Sequence, residues 1–183
     1  MNRFEIKASA KQALKNDRWL PVAMLLIVGA INAASYGILA GPMQYGLNEY
    51  FVKSLNGEDK KFVDLFAGFK HFGKTFVAWL LMGLYQALWF CVPFAGPFIA
   101  FVKSFSYSQT YLVLRDNPEL SANEAITKSR EIMYGNKARY FGLQLSFLGW
   151  ILLDLMFCCG ILGMLYVNPY MKFATVKFYE DIK

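Results

Sequence analysis

Basic residues divide this 183-residue chain so that long apolar runs lie between compact charged segments, and few folds can house such runs. Of the 19 Lys and Arg residues, all but Lys103 fall into four clusters. These are Arg3, Lys7, Lys11, Lys15 and Arg18; Lys53, Lys60, Lys61, Lys70 and Lys74; Arg115, Lys128, Arg130, Lys137 and Arg139; and Lys172, Lys177 and Lys183. The apolar runs between them are about thirty residues long, whereas one membrane-crossing helix takes about twenty. Basic residues are retained on the cytoplasmic side of a membrane. One crossing per run would place successive clusters on opposite sides, whereas a crossing and a return keeps every cluster cytoplasmic. The layout therefore predicts an all-α, polytopic membrane helical bundle: six membrane helices arranged as three hairpins, with both termini cytoplasmic. The far-side turns fall at 35–42, 91–97 and 157–163, which are free of charge and rich in Gly and Pro.

Two full crossings need about forty residues, so the returning helix of each hairpin must take in charged side chains. They are Glu49 and Lys53, then Lys103, then Lys172 and Lys177. Lysines near a helix end can snorkel to the headgroups. Composition agrees with this class, with 56% of residues hydrophobic, 17% aromatic and a formal net charge of +6 from sparse basic residues. Such a charge points to an anionic leaflet before nucleic acid, and no nucleic-acid motif accompanies it. The first apolar run follows a long segment of mixed charge and reads as a retained span, not a signal peptide.

The chain reads as one transmembrane domain, 1–183, built of pseudo-repeats at about 1–57, 58–118 and 119–183. Each unit has a basic amphipathic segment, a span, a Gly/Pro turn and a returning span. The entering segments are EIKASAKQALKNDR, FVDLFAGFKHFGK and ANEAITKSREIMYGNKAR. In the first, Arg3, Lys7, Lys11 and Lys15 share one helix face while Ile6, Ala10 and Ala13 lie on another. In the second, Phe62, Leu65, Phe66 and Phe69 form an apolar stripe. In the third, Ser121 and Glu124 make a capping box. Such helices either lie in the headgroup plane, with Arg3, Lys7, Lys11, Lys15 and Arg18 as contacts for anionic lipid, or pack against the spans as connectors.

From LFAGFKHFGK, through KSFSYSQTYLVLRDNPELSANEAITKSREIMYGNK, to LSFLGWILL and PYMKFATVKFYEDIK, the chain resembles an uncharacterised bacterial membrane-protein family, domain of unknown function nine hundred and seventy-five. The N-terminal EIKASAKQALK and the GP that opens the second helix resemble it too. The resemblance implies a polytopic protein of the bacterial cell membrane, typically of Gram-positive bacteria, with no established activity. Where the family tends to have a Pro-Gly-Ile-Ile-Lys stretch this chain reads GPFIAFVKS, with Lys103 matching the family lysine. Asp154, Cys158 and Cys159 replace residues that are usually apolar, Thr or Gly in the family, and read as local traits.

A charge inside the bilayer faces other helices or a cavity. Lys103 and Asp154 have similar expected depth, in the outer part of the membrane, and either pair or leave Asp154 alone at the outer headgroups. Glu49 and Lys172 form a second, weaker pair. The hydroxyl-rich run of Ser104, Ser106, Tyr107 and Ser108, with Thr110 and Tyr111, reads as a cavity lining, although Ser and Thr also bond their own helix backbone. Asn32, Gln44, Gln86, Gln109, Gln144 and Asn168 read as bonds between spans or as a pathway lining. Pro169, inside a span, should bend it. Cys91, Cys158 and Cys159 lie at far-side turns, either as small hydrophobes or with Cys91 joined to Cys158 or Cys159.

His71 is the single histidine, and neither nucleotide-binding nor nucleophile motifs occur, so no enzyme, cofactor or metal is expected. Three roles remain: a non-enzymatic protein binding anionic lipid or a membrane protein or peptide partner; a transporter or exporter of a small amphiphile or peptide; and protection against a membrane-active peptide. A cavity reaching Lys103 favours the second, and a tightly packed apolar interior the first.

Overall fold

The computed structural model describes residues 3–16, 19–150, 152 and 166–183. Within them every regular element is helical, as long apolar runs without strict alternation require. The order is α1 (Arg3–Asn16), α2 (Trp19–Ala34), α3 (Ala40–Asn56), a 3-10 turn (Phe62–Phe66), α4 (Ala67–Lys70) and α5 (Phe72–Phe90), then α6 (Gly96–Tyr107), α7 (Thr110–Asp116), α8 (Ala122–Ile132), α9 (Lys137–Leu145) and α10 (Asn168–Ile182). Two of the expected hairpins are present: α2 turns into α3, and α5 turns into α6, at two of the three Gly/Pro sites read from the sequence. Pro97 stands in the first turn of α6, where a missing N–H costs nothing. Pro169 likewise stands in the first turn of α10, after a π-helical turn at 166–167, so it opens the regular helix instead of bending its middle. The third expected turn, with Asp154, Cys158 and Cys159, lies outside the described residues, as does Arg18.

Helix α3 is the axis of the molecule. It packs on α2, the 62–66 turn, α4, α5, α7 and α10 and carries the fully buried Tyr50 and Phe51. Two glycines let the backbones meet. A Cβ at Gly46 would come within 1.7 Å of the Leu65 carbonyl oxygen, and one at Gly68 within 2.0 Å of the Pro42 carbonyl oxygen. Only a residue without a side chain fits either place. On the far side of the axis, Phe51 meets Phe173 of α10 edge to face, with ring centres 4.6 Å apart.

Helix α1 buries Ile6, Ala10 and Leu14 and packs along α10, the connector alternative of the two read from its sequence. The Lys7 ammonium reaches the Ser146 hydroxyl and lies 4.8 Å from the centre of the Phe147 ring, while Arg3, Lys11 and Lys15 remain exposed. The capping box of α8 is formed: the Glu124 N–H donates to the Ser121 hydroxyl, and the Ser121 N–H donates to the Glu124 carboxylate at 2.8 Å. Its position is more informative than its cap. The Tyr85 hydroxyl of α5 meets the Asn123 side chain at 3.1 Å, and the buried Ser129 hydroxyl donates to the Ser106 carbonyl of α6 at 2.8 Å. The third entering segment therefore runs alongside the second hairpin.

The C-terminal ends of α3, α7 and α10 meet in a charged network. Arg115 reaches Glu49 at 2.6 Å and Asp116 at 2.9 Å; Lys183 reaches Asp116 at 2.9 Å; Lys53 bridges Glu49 at 3.3 Å and Asp64 at 2.8 Å. Lys53, Arg115 and Lys183, from three basic clusters, are thus gathered at one end. Among the described residues no single helix is long and apolar enough to cross a membrane; α1 and α2 satisfy that test only jointly, across a 94° bend. The surface of α5 is nevertheless apolar over three turns. Val77, Leu80, Leu84 and Leu88 fall on one face and are 43% to 58% exposed.

Candidate functional site

Helix α6 has two unlike faces. At a helical spacing of three and four, Lys103, Ser106 and Tyr107 lie on one side, and Phe101, Ser104, Phe105 and Ser108 on the other. The first side opens into two cavities that share Lys103 and Arg130 and so form one cleft between α5, α6 and α8. The inner part, about 260 Å³, is walled by Tyr85, Leu88, Trp89, Val92 and Tyr107. The outer part, about 410 Å³, is polar and adds Ser106, Thr127, Glu131, Tyr134 and Lys137. The second side of α6 is a separate and mainly apolar groove of about 440 Å³ against α9, where Ser104 and Ser108 sit among Phe101, Phe105, Phe141 and Leu145. Both of these serines bond carbonyls of their own helix, Phe101 and Phe105.

Three cations line the cleft against one carboxylate, Glu131. Among the described residues none of Lys103, Arg130 and Lys137 makes an ion pair; Lys103 lies over the Trp89 ring, 4.9 Å from its centre. The Ser106 hydroxyl is buried and has no hydrogen-bond partner among the described residues. Buried hydroxyls are nearly always satisfied, so this one stands out. The next turn repeats the pattern, with the Gln109 side-chain oxygen and the Tyr111 hydroxyl also buried without partners among the described residues.

The residues singled out from the sequence divide accordingly. Lys103, Ser106 and Tyr107 line the cleft; Ser104 and Ser108 face the opposite groove. The Glu49–Lys172 pair does not form. Glu49 is held by Arg115 and Lys53, and the Lys172 ammonium donates to the Gln44 side-chain oxygen at 2.7 Å. Gln44 and Glu49 are five residues apart, about 7.5 Å along α3, so Lys172 meets the former and misses the latter. Lys103 shares its cleft with two cations of the third basic cluster, because α8 lies beside α6; whether it pairs with Asp154 or Asp154 stands alone falls outside the described residues. Gln44, Gln86 and Gln144 do bond between helices, to Lys172, the Ala100 carbonyl and Thr175.

Arg130, Lys137, Tyr85 and Trp89 were not singled out from the sequence. The first two read there as ordinary members of a basic cluster, and the aromatics as generic span residues. The only signal for the rings was their i, i+4 spacing on α5, which does not name a partner. Among the described residues no group of His, Cys, Asp and Glu is placed to hold a metal.

Fold and cleft together define an all-helical protein whose returning second helix separates a cationic, aromatic cleft from an apolar groove. Residues 94–183, which carry α6 to α10, match the family described as Protein of unknown function (DUF975). Lys103, Ser106, Arg130 and Lys137 all fall inside the matched part. No curated protein and no solved structure matches the chain.

Proposed function

We propose that this protein is a non-enzymatic, polytopic component of the bacterial cell membrane, with its charged end and both termini cytoplasmic, that holds a membrane amphiphile in the cleft beside α6. One observation carries the reading: Leu88 belongs both to the outward apolar stripe of α5 and to the wall of the cleft. Three turns of exposed aliphatic side chains would be a liability in water, whereas lipid tails accept them without cost. The stripe leads to cations that make no ion pair among the described residues. An amphiphile lying along α5 therefore brings its polar end to Lys103, Arg130 and Lys137, where clustered positive charge attracts an anion. The gathering of Lys53, Arg115 and Lys183 at one end supports a common side for the basic clusters.

Transfer of the amphiphile, rather than its static retention, is the second reading, and the cavity reaching Lys103 favours it. The interior behind the cleft is packed with Tyr50, Phe51, Phe147 and Phe173, which favours retention.

Two measurements test the proposal. With Cys158 and Cys159 replaced by Ser, a membrane-impermeant maleimide added to intact cells should label Cys91, which is exposed at the α5–α6 turn. Labelling only after lysis would overturn the topology. Native mass spectrometry of protein released from nanodiscs should show a retained amphiphile that Lys103→Ala and Arg130→Ala each lose. Equal retention by both variants would remove the cleft from the function.

A further inference from the structure

The outer cavity offers more donors than a carboxylate can use, and we infer that the cleft is a phosphate site for an amphiphile whose polar end is a phosphate ester. The inference rests on the reading of the cleft as an amphiphile site and names the chemical class that it takes. Two lysine ammoniums and one guanidinium line the same space. The guanidinium fork matches two oxygens of a phosphate, and the ammoniums serve as adjustable point charges for the others. Thr127 and Tyr134, which carry hydroxyls, line the same cavity.

The independent observation is Ser106. The residue is 2% exposed and lines this cavity, its buried hydroxyl bonds nothing among the described residues, and its own carbonyl is already engaged by Ser129. A hydroxyl closed from water without an acceptor costs about 1–3 kcal/mol, and a phosphate oxygen in the outer cavity would satisfy it. A carboxylate has two oxygens for this set of donors; a phosphate monoester has three terminal ones. Among the described residues the charge balance agrees, since three cations offset by Glu131 leave two positive charges, suited to a singly or doubly charged phosphate.

The inner cavity decides between sources of phosphate. Beyond the shared Lys103 and Arg130, its walls are Leu88, Val92 and the rings of Tyr85, Trp89 and Tyr107, apolar surface that a free ion leaves unused. An alkyl or acyl segment attached to the phosphate fills this space and continues along the stripe of α5. Lys103 lies over Trp89 at the join of the two parts, so the boundary between headgroup and chain falls at this pair.

The test uses delipidated full-length protein in a non-ionic detergent and four probes: lysophosphatidic acid, oleate, lysophosphatidylcholine and inorganic phosphate. Lysophosphatidic acid should bind at least tenfold more tightly than each of the others. Arg130→Lys, which keeps the charge and removes the fork, and Ser106→Ala should each weaken lysophosphatidic acid by about five- to tenfold and leave oleate unchanged; circular dichroism and melting confirm that the variants fold. Oleate binding as tightly as lysophosphatidic acid would overturn the phosphate assignment and leave the amphiphile reading standing. Inorganic phosphate binding as tightly would overturn the lipid as source. If no probe binds, the amphiphile reading itself falls, and this inference with it.

Discussion

The Ser129 hydroxyl donates to the Ser106 carbonyl across 2.8 Å, at a point where both residues are closed to solvent. This contact ties α8 to α6 on the wall of the cationic cleft and sets Arg130, the next residue, beside Lys103. Ser129→Ala should lower the unfolding free energy by about 1 kcal/mol, the net worth of one buried hydrogen bond. The same change should weaken anionic amphiphile binding, since Arg130 is then less firmly placed. Thermal melting and a binding titration, done together, check it; an unchanged melting point with unchanged affinity would leave the contact without consequence.

The backbone contact between α3 and the 62–75 segment makes Gly46 far more sensitive than a glycine in open space. In Gly46→Ala the new carbon would sit 1.7 Å from the Leu65 carbonyl, which no side-chain movement relieves, and Gly68 is under the same constraint from the Pro42 carbonyl. A loss of more than about 4 kcal/mol, or failure to accumulate folded protein, is expected. Gly83→Ala is the control: nothing lies within 4 Å of its Cβ, and alanine in a helix interior should stabilise by roughly 0.5–1 kcal/mol. Comparable behaviour of the two variants on chemical denaturation would refute the close approach.

Tyr36 and Phe94 both adopt positive φ, 51° and 62°, at the turns of the two described hairpins, and their side chains are exposed. A left-handed backbone costs a non-glycine residue roughly 1–2 kcal/mol. Tyr36→Gly removes that cost and adds some unfolded-state entropy, for a net gain of up to about 1 kcal/mol in detergent. A drop in melting temperature would mean that the tyrosine ring makes contacts that outweigh the strain.

Acid should weaken the charged end. Burial disfavours the ionised Asp64 carboxylate, but the Lys53 ammonium and the Lys61 backbone N–H hold its pKa below the usual carboxylate value. A depressed native pKa means that ionisation favours the folded state. The contribution is complete above the ordinary aspartate pKa and is lost as pH falls through the native value, that is, below about pH 4. Wild type should therefore melt higher than Asp64→Asn at neutral pH, and the difference should shrink as pH falls below about 4. A constant difference across that range would show that the pair is not what the mutation removes.

Much of the helical layout was legible because it follows from local and periodic rules. The Gly/Pro sites at 35–42 and 91–97 became turns since glycine and proline disfavour continued helix, and the box of Ser121 and Glu124 capped α8 as its spacing requires. Ile6 and Ala10 were buried as their helical face predicted. Pairings across the molecule were not legible. Glu49 found Arg115 and Lys53 rather than Lys172, and Lys103 found Trp89 and a second basic cluster, because those choices depend on how far one helix slides along another.

The sequence by itself determined the helical class, the turn sites and the separation of charge from apolar surface, since periodicity, glycine, proline and desolvation act within a few residues or one helix face. The tertiary structure alone decided that α8 lies against α5 and α6. That placement turns one lysine on a span, an ordinary basic cluster and a stripe of rings into a single cleft. No local rule contains it: contacts between residues far apart in the chain, Tyr85 with Asn123 and Ser129 with Ser106, hold it, and a shift of one helical turn, about 5.4 Å, would pair different residues.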